Sequence, residues 1–516
     1  MGVVNFKAFL LFALLACASA SAATAAQEKK LEILKTPLVF SSVSTSASVD
    51  LRFEDYVLPF KLNQTGFTSV DGKPCFEYYV GGDGVLTLHF NPLCQACGSL
   101  PLAVFFPESK ETLYKVVDVP CEADLLVVAA SLGKFDAEYY EALLNYFGKL
   151  SLEGVKAKYA ELSDYEKPVT PSAFSLSKQF VYLSASYNPM LRSFYESVRK
   201  IRSRVQPRYL LIVGSKEEFP MPEYTPGYPE SVSVTNSIDS DDLYGLPLNA
   251  VYGQVMPADF PVIPVARIPS QELAATVFES FAANTKPFRK PLVVTLNEYK
   301  MYRGAYDIFS AYYGGSLAKT AGVILQFPSV FCDAKTTNVA TAECVLAPKY
   351  CFPHQEKECD AELIKNIFVS RRAIVFQTHG LVDKTSYGRL ALGGAATGEH
   401  FYPTILNSVD LEDVGVLNGF YDFQSCYTLW LGKIKNPTDL PLVFLEKGAV
   451  ALTGKTVKSI GVDPLGRNGE KTRLGDALLA AKLKRKAGSS GLDADQARAL
   501  ALYGNPLAEL DLRSSA

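Results

Sequence analysis

Cys426 is the cysteine without a group. Beyond residue 22 the chain carries Cys75, Cys94, Cys97 and Cys121 in one set, Cys332, Cys344, Cys351 and Cys359 in a second, and then Cys426 by itself. Two even sets can pair among themselves, which leaves the thiol of Cys426 free to react. It directly follows the apolar run GFYDFQS (419–425), and His379-Gly380 directly follows an earlier apolar run, AIVFQT (373–378). An imidazole that draws off or shares the thiol proton brings a thiol pKa of about 8.5 towards neutrality and makes sulfur a strong nucleophile. The chemistry implied is that of a cysteine hydrolase.

Two buried strands of a parallel sheet would let the pair touch, because in such sheets the groups that act on ligands lie just beyond the strands' carboxyl ends. From Asp124 onward the chain alternates strand-like and helix-like texture, as a parallel sheet covered by helices does. DLLVVAA (124–130), YLLIVG (209–214) and FPVIPVARIP (260–269) read as strands. Helical spacing runs over 136–147, and again through Met190, Leu191, Phe194, Val198, Ile201 and Val205. A third helix is expected over about 270–283, and Lys286-Pro287 to Lys290-Pro291 reads as a boundary. Beyond it PLVVTLN (291–297), VILQF (323–327), the two runs that end at the candidate pair, and GAVALTG (448–454) repeat the pattern. The stretch 329–360 holds the second cysteine set and reads as a disulfide-tied excursion, being too long for an ordinary connection.

Residues 28–122 differ: short apolar–polar alternation and turn signals such as Asp71-Gly72 predict a small β domain clipped by Cys75, Cys94, Cys97 and Cys121. A zinc site from those four is the competing reading, but one CxxC with dissimilar outer spacings is a weak zinc signal. Residues 1–22 have Lys7 as their one basic side chain, then AFLLFALLA and CASASA, the pattern of a secretory signal peptide. Cleavage is expected after Ala20 or Ala23; Leu14-Leu15-Ala16-Cys17 resembles a lipoprotein box, into which Leu15 fits poorly. Export fits disulfides among the eight grouped cysteines, with connectivity open. No other apolar run is long enough to span a bilayer, so no membrane span is expected. A net charge of −3 over 516 residues gives no footprint for nucleic acid. The expected partners are protein or peptide substrates.

An apolar strand ending in His-Gly, followed by an apolar strand ending in Ser-Cys, resembles the caspase, legumain and gingipain clan of cysteine peptidases. Within it the gingipain family is the best match, through YLLIVGSKEEFP (209–220), Ser240-Asp241-Asp242-Leu243-Tyr244 leading to VARIPSQE (265–272), and LYGNPLAELDL (502–512). The resemblance covers roughly 124–512. It implies a two-part α/β caspase-like catalytic unit, divided near 286–287, with mostly parallel sheets flanked by helices. It implies Cys426 as nucleophile, His379 as general base and acid, and Glu298, just after PLVVTLN, as the residue orienting the histidine. Backbone N–H groups of Gly380 and Cys426 would receive the oxyanion. Asp307 lies near the place of an acidic specificity residue, although its spacing from Glu298 departs from the family's and Arg303 lies close by. No cofactor is required; Ca²⁺ as a structural ion at Ser240-Asp241-Asp242 is the family's suggestion, against a plain solvated turn. No immunoglobulin-like module follows Leu512, so an export route different from the family's is expected. The β domain would be an inhibitory propeptide or an accessory module. Two other activities share the motifs: a transpeptidase or amide ligase of the same clan, and a non-enzymatic exported disulfide-rich binding protein.

Overall fold

The structure is a computed structural model. From residue 122 onward it describes 122–130, 135, 137–162, 189–228, 237–252, 259–296, 311–313, 324–327, 332–333, 368, 372–381, 389–391, 400–401, 411, 414–415, 417–431, 439–488 and 490–513. Before that it describes 38–39, 48–51, 65–70, 73–80, 86–90, 98–106 and 111–119.

The chain separates into two compact units, Met1–Cys121 and Glu122–Ala516. In the first, every described residue is strand. Ser48–Leu51, Leu86–Phe90, Lys73–Val80 and Thr65–Val70 make one antiparallel sheet in that order, and Leu38–Val39, Glu111–Val119 and Gly98–Phe106 make another group of three. Thr65–Val70 and Lys73–Val80 pair as a hairpin, with Val70 opposite Lys73.

The second unit is built on one sheet of ten strands. In chain order these are β1 (Leu125–Ala130), β2 (Ala157–Leu162), β3 (Tyr209–Val213), β4 (Val265–Ile268), β5 (Leu292–Leu296), β6 (Ile324–Phe327), β7 (Ala373–Gln377), β8 (Phe420–Phe423), β9 (Ala451–Lys455) and β10 (Leu500–Gly504). Across the sheet they lie β6-β5-β7-β8-β9-β10-β4-β3-β1-β2. All neighbours are parallel except β9 and β10. The sheet is therefore two parallel halves of opposite direction, each wound in the same order: β2-β1-β3-β4-β10 and β6-β5-β7-β8-β9. The fifth strand of the first half comes from the far end of the chain.

Helices explain why these strands are apolar on both faces. Helix α1 (Ala137–Leu152), α2 (Pro189–Val205), α3 (Asp242–Gly245), α4 (Ala274–Ala283), α5 (Leu440–Glu446), α6 (Leu474–Lys486) and α7 (Gly491–Ala499) flank the sheet. The apolar stripe of α2 buries Leu191, Phe194 and Val198 in one cluster with Leu126, Val128, Leu210 and Ile212. Its first residue is Pro189, whose missing N–H costs nothing there, and it ends where Gln206 turns to φ 48 just before Pro207. Helices α1 and α4 interlock through aromatic rings, Phe278 lying 5.8 Å from both Tyr139 and Tyr146. At the antiparallel seam, Gly504 adopts φ +109 and a Cβ on it would lie 2.4 Å from the Val450 carbonyl oxygen. Only glycine fits there.

Of the strands expected from sequence, each run from DLLVVAA to GAVALTG holds a strand of this sheet. The expected sheets are one continuous sheet, and two strands were not read as such: β2 at its edge, and β10, which closes the first half. No helix among the described residues is long and apolar enough to cross a membrane.

Candidate active site

Strands β5, β7 and β8 are consecutive neighbours, and the sequence expectation places Glu298, His379 and Cys426 just past their carboxyl ends. The winding order reverses between β5 and β7, the point at which open α/β sheets form their ligand crevice. Strands β7 and β8 are in register from Ala373↔Phe420 to Phe376↔Phe423. The pairing continues beyond the regular ladder: the Gln424 N–H donates to the Phe376 carbonyl at 2.8 Å, and the Thr378 N–H donates to Ser425 Oγ at 3.3 Å. The two hydroxyls of Thr378 and Ser425 meet at 3.0 Å. Residues 378 and 425 are thus in contact, and the next residue on each side is His379 and Cys426. Past Thr378 the backbone enters a short strand, His379–Leu381, paired antiparallel with Arg389–Ala391.

Cys426 is half-buried. Its sulfur accepts the Ser459 backbone N–H at 3.3 Å and lies 3.8 Å from the Ser459 carbonyl oxygen. The residue after it, Tyr427, has φ 56, a left-handed conformation that a non-glycine residue adopts only where packing enforces it. The enforcement is visible. Tyr427 is buried, its N–H donates to the Val457 carbonyl at 2.9 Å, and the Leu429 N–H donates to the Lys455 carbonyl at 3.2 Å. Gly454 in β9 admits this turn, since a Cβ there would stand 2.8 Å from Thr428 Oγ1 and 3.1 Å from Leu429 Cγ. The sharp turn holds the thiol at the crest of the strand end.

Beneath Cys426 the interior is polar, which an apolar sheet tolerates only when every group is partnered. Asp422 is fully buried in β8 and accepts from Gln424 Nε2 at 2.8 and 2.9 Å, Thr453 Oγ1 at 2.8 Å and Tyr312 Oη at 3.2 Å. Burial pushes its carboxyl up to about 6, against the pull of those three donors. Gln424 turns its other face to the backbone of Asp463, accepting that N–H at 2.8 Å and donating to the carbonyl at 3.2 Å. The Asp463 carboxylate pairs with Lys455 at 2.6 Å and Arg485 at 3.1 Å. Lys455 is buried, and burial lowers its pKa although Asp463 and Cys426 oppose the shift. Asp422, Gln424, Lys455, Asp463 and Gln496 were all missed in the sequence. The visible signal was a lone acid inside the run GFYDFQS.

The acidic turn is a different construction. Asp241 accepts two hydrogen bonds from the fully buried Arg267, at 2.6 and 2.8 Å, Asp242 meets Lys482 at 2.5 Å, and Asp239 meets Lys216. Arg267 also donates to the carbonyls of Gly214, Ser215 and Phe219. The carboxylates that would face a Ca²⁺ ion are engaged with cationic side chains.

Glu298, Asp307, Cys94, Cys97, Cys121, Cys344, Cys351 and Cys359 lie outside the described residues, as do residues 1–22. For Cys75, Cys332, His379 and Gly380 the strand path of the backbone is described.

No family model matches the chain, and no curated protein matches it. Among solved structures it is similar to the complex of Porphyromonas gingivalis RgpB pro- and mature domains, at 12% identity and a TM-score of 0.44, covering 74% of this chain and 78% of that one. It is similar also to the Arg-specific cysteine proteinase gingipain R, at 11% identity and a TM-score of 0.43, covering 75% and 78%. A third structure, described as a protease, shows 12% identity and a TM-score of 0.41, covering 74% and 77%. The first two of these structures are gingipains, the family that the motifs resemble. At TM-scores below 0.5 the roles of individual residues rest on this chain's own geometry.

Proposed function

We propose that this protein is an exported cysteine endopeptidase that hydrolyses peptide bonds through Cys426 and His379. The observation that carries the reading is the contact of residues 378 and 425 at the ends of two adjacent parallel strands, with the half-buried Cys426 one residue beyond. In the proposed cycle His379 takes the Cys426 proton, and sulfur attacks the scissile carbonyl carbon, forming the C–S bond. Backbone N–H groups of Cys426 and Gly380 receive the oxyanion, the kind of preorganised donors that such an intermediate needs. The imidazolium then protonates the departing amine as the C–N bond breaks, leaving a thioester that water hydrolyses with His379 acting again as base. Glu298, from the strand on the far side of β7, would orient the imidazole. Asp307 would favour a basic residue before the cleaved bond.

The test is cleavage of a broad peptide library by the native protein and by Cys426→Ala. Loss of all cleavage in a folded variant supports the reading, and unchanged cleavage removes it.

A further inference from the structure

The loop that touches the candidate nucleophile is held on both sides of Ser459 by one buried amide, while Arg485 donates to the Ile460 carbonyl at 2.5 Å. Gln496 projects from α7 and is fully buried. Its Nε2 donates to the Lys458 carbonyl at 2.7 Å, and its Oε1 accepts the Ile460 N–H at 2.8 Å. Those two groups flank Ser459, whose own N–H is the donor to the Cys426 sulfur at 3.3 Å. The same Oε1 accepts from Lys455 Nζ at 2.9 Å, so a buried ammonium is fixed to the clamp.

A backbone N–H pointed at sulfur stabilises the thiolate over the thiol, because the bond to a charged acceptor is roughly twice as strong as one to a neutral acceptor. Its value depends on aim, since hydrogen bonds weaken steeply when misaligned. Resting on the peptidase reading for its catalytic consequence, we propose that Gln496 is a positioning residue for Cys426: it clamps the peptide groups on both sides of Ser459 and so aims the Ser459 N–H at the sulfur. Lys455 acts on the same atom through its charge, moderated by Asp463, which in turn pairs with Arg485.

The experiment is the pH dependence of iodoacetamide alkylation at Cys426 in the full chain, read by mass mapping, in the native protein and in Gln496→Leu. The variant keeps the side chain's approximate size and loses both clamping bonds together with the acceptor of Lys455 Nζ. The midpoint of alkylation should rise by about one pH unit, the equivalent of losing one charge-assisted hydrogen bond. In peptide cleavage kcat should fall about tenfold with KM little changed. An unshifted midpoint in folded Gln496→Leu overturns the proposal. If that variant is not folded at the assay temperature, Ser459→Pro decides, because it deletes the N–H donor at a half-exposed position: a raised midpoint supports the positioning role and an unchanged one overturns it. Alkylation does not require turnover. A native protein that cleaves nothing while the midpoint shifts would remove the peptidase reading and keep the clamp; cleavage with an unshifted midpoint would do the reverse.

Discussion

At the scale of residues, the thiol, the imidazole and the carboxylate carry different burdens, and their variants should separate them. Cys426 is half-buried, so Cys426→Ala removes little packed volume and is expected to change stability by less than about 1 kcal/mol while abolishing cleavage. Thermal unfolding beside the library assay checks both halves of that statement. His379→Ala should lose nearly all turnover, since activation of sulfur and protonation of the leaving amine go together. Glu298→Gln should be milder, a partial loss in kcat with little change in KM, because an orienting group supports a state the pair reaches without it. A loss as deep as that of His379→Ala would give Glu298 more than an orienting role, and a neutral result would take it out of the site. In the native protein Cys426 should also be the one mature cysteine alkylated without prior reduction.

At the scale of elements, the strand ends and the turn after Cys426 act as one piece. Gly454→Ala would press a Cβ to 2.8 Å from Thr428 Oγ1, so the turn must move or the strands part. Overpacking of this kind costs about 1–3 kcal/mol. The expected result is a lower unfolding midpoint together with slower alkylation of Cys426; loss of stability alone would show that the turn and the thiol are uncoupled. Asp422 gives the same piece a pH dependence. Its folded pKa of about 6 lies above the ordinary carboxylate value, so between about pH 4 and 6 the folded state keeps a proton that the unfolded chain has released. Stability from this group is present in full below that window and is lost as pH rises through 6. Denaturant titrations across pH 4–7 should show Asp422→Asn gaining on the native protein as pH rises, by up to roughly 3 kcal/mol. A variant that loses ground to the native protein as pH rises would give the opposite sign and refute it. The strands themselves were legible because buried parallel strands are written as short apolar runs, and AIVFQ and FYDF are such runs. Strand β2, AKYAEL, escaped because an edge strand carries polar residues and loses the signal. The clamp was illegible for another reason: Gln496 and Ser459 are common residue types brought together by the fold, with no spacing to announce them.

At the scale of the whole molecule, two features bear on regulation. The catalytic strands belong to Glu122–Ala516, which has its own ten-stranded sheet and its own buried core, and the division from Met1–Cys121 falls at the change of texture near Asp124. Strand β10 ties the end of that second unit back to its beginning through β4, pairing Tyr503 with Arg267. The ten strands of that sheet all come from Glu122–Ala516. The four cysteines of residues 28–122 would, as disulfides, let the first unit survive as a folded piece after separation. These features favour a removable module, and the proposed activity gives removal a purpose: restraint of the peptidase until it has been exported. Comparing the intact chain with one beginning at Glu122 tests this, at equal concentration and with the same peptide library. Latency in the intact chain and activity in the shorter one, with the shorter one inhibited again when residues 28–121 are added in trans, is the expected result. Equal activity in both would make the first unit an accessory or binding module with no part in restraint.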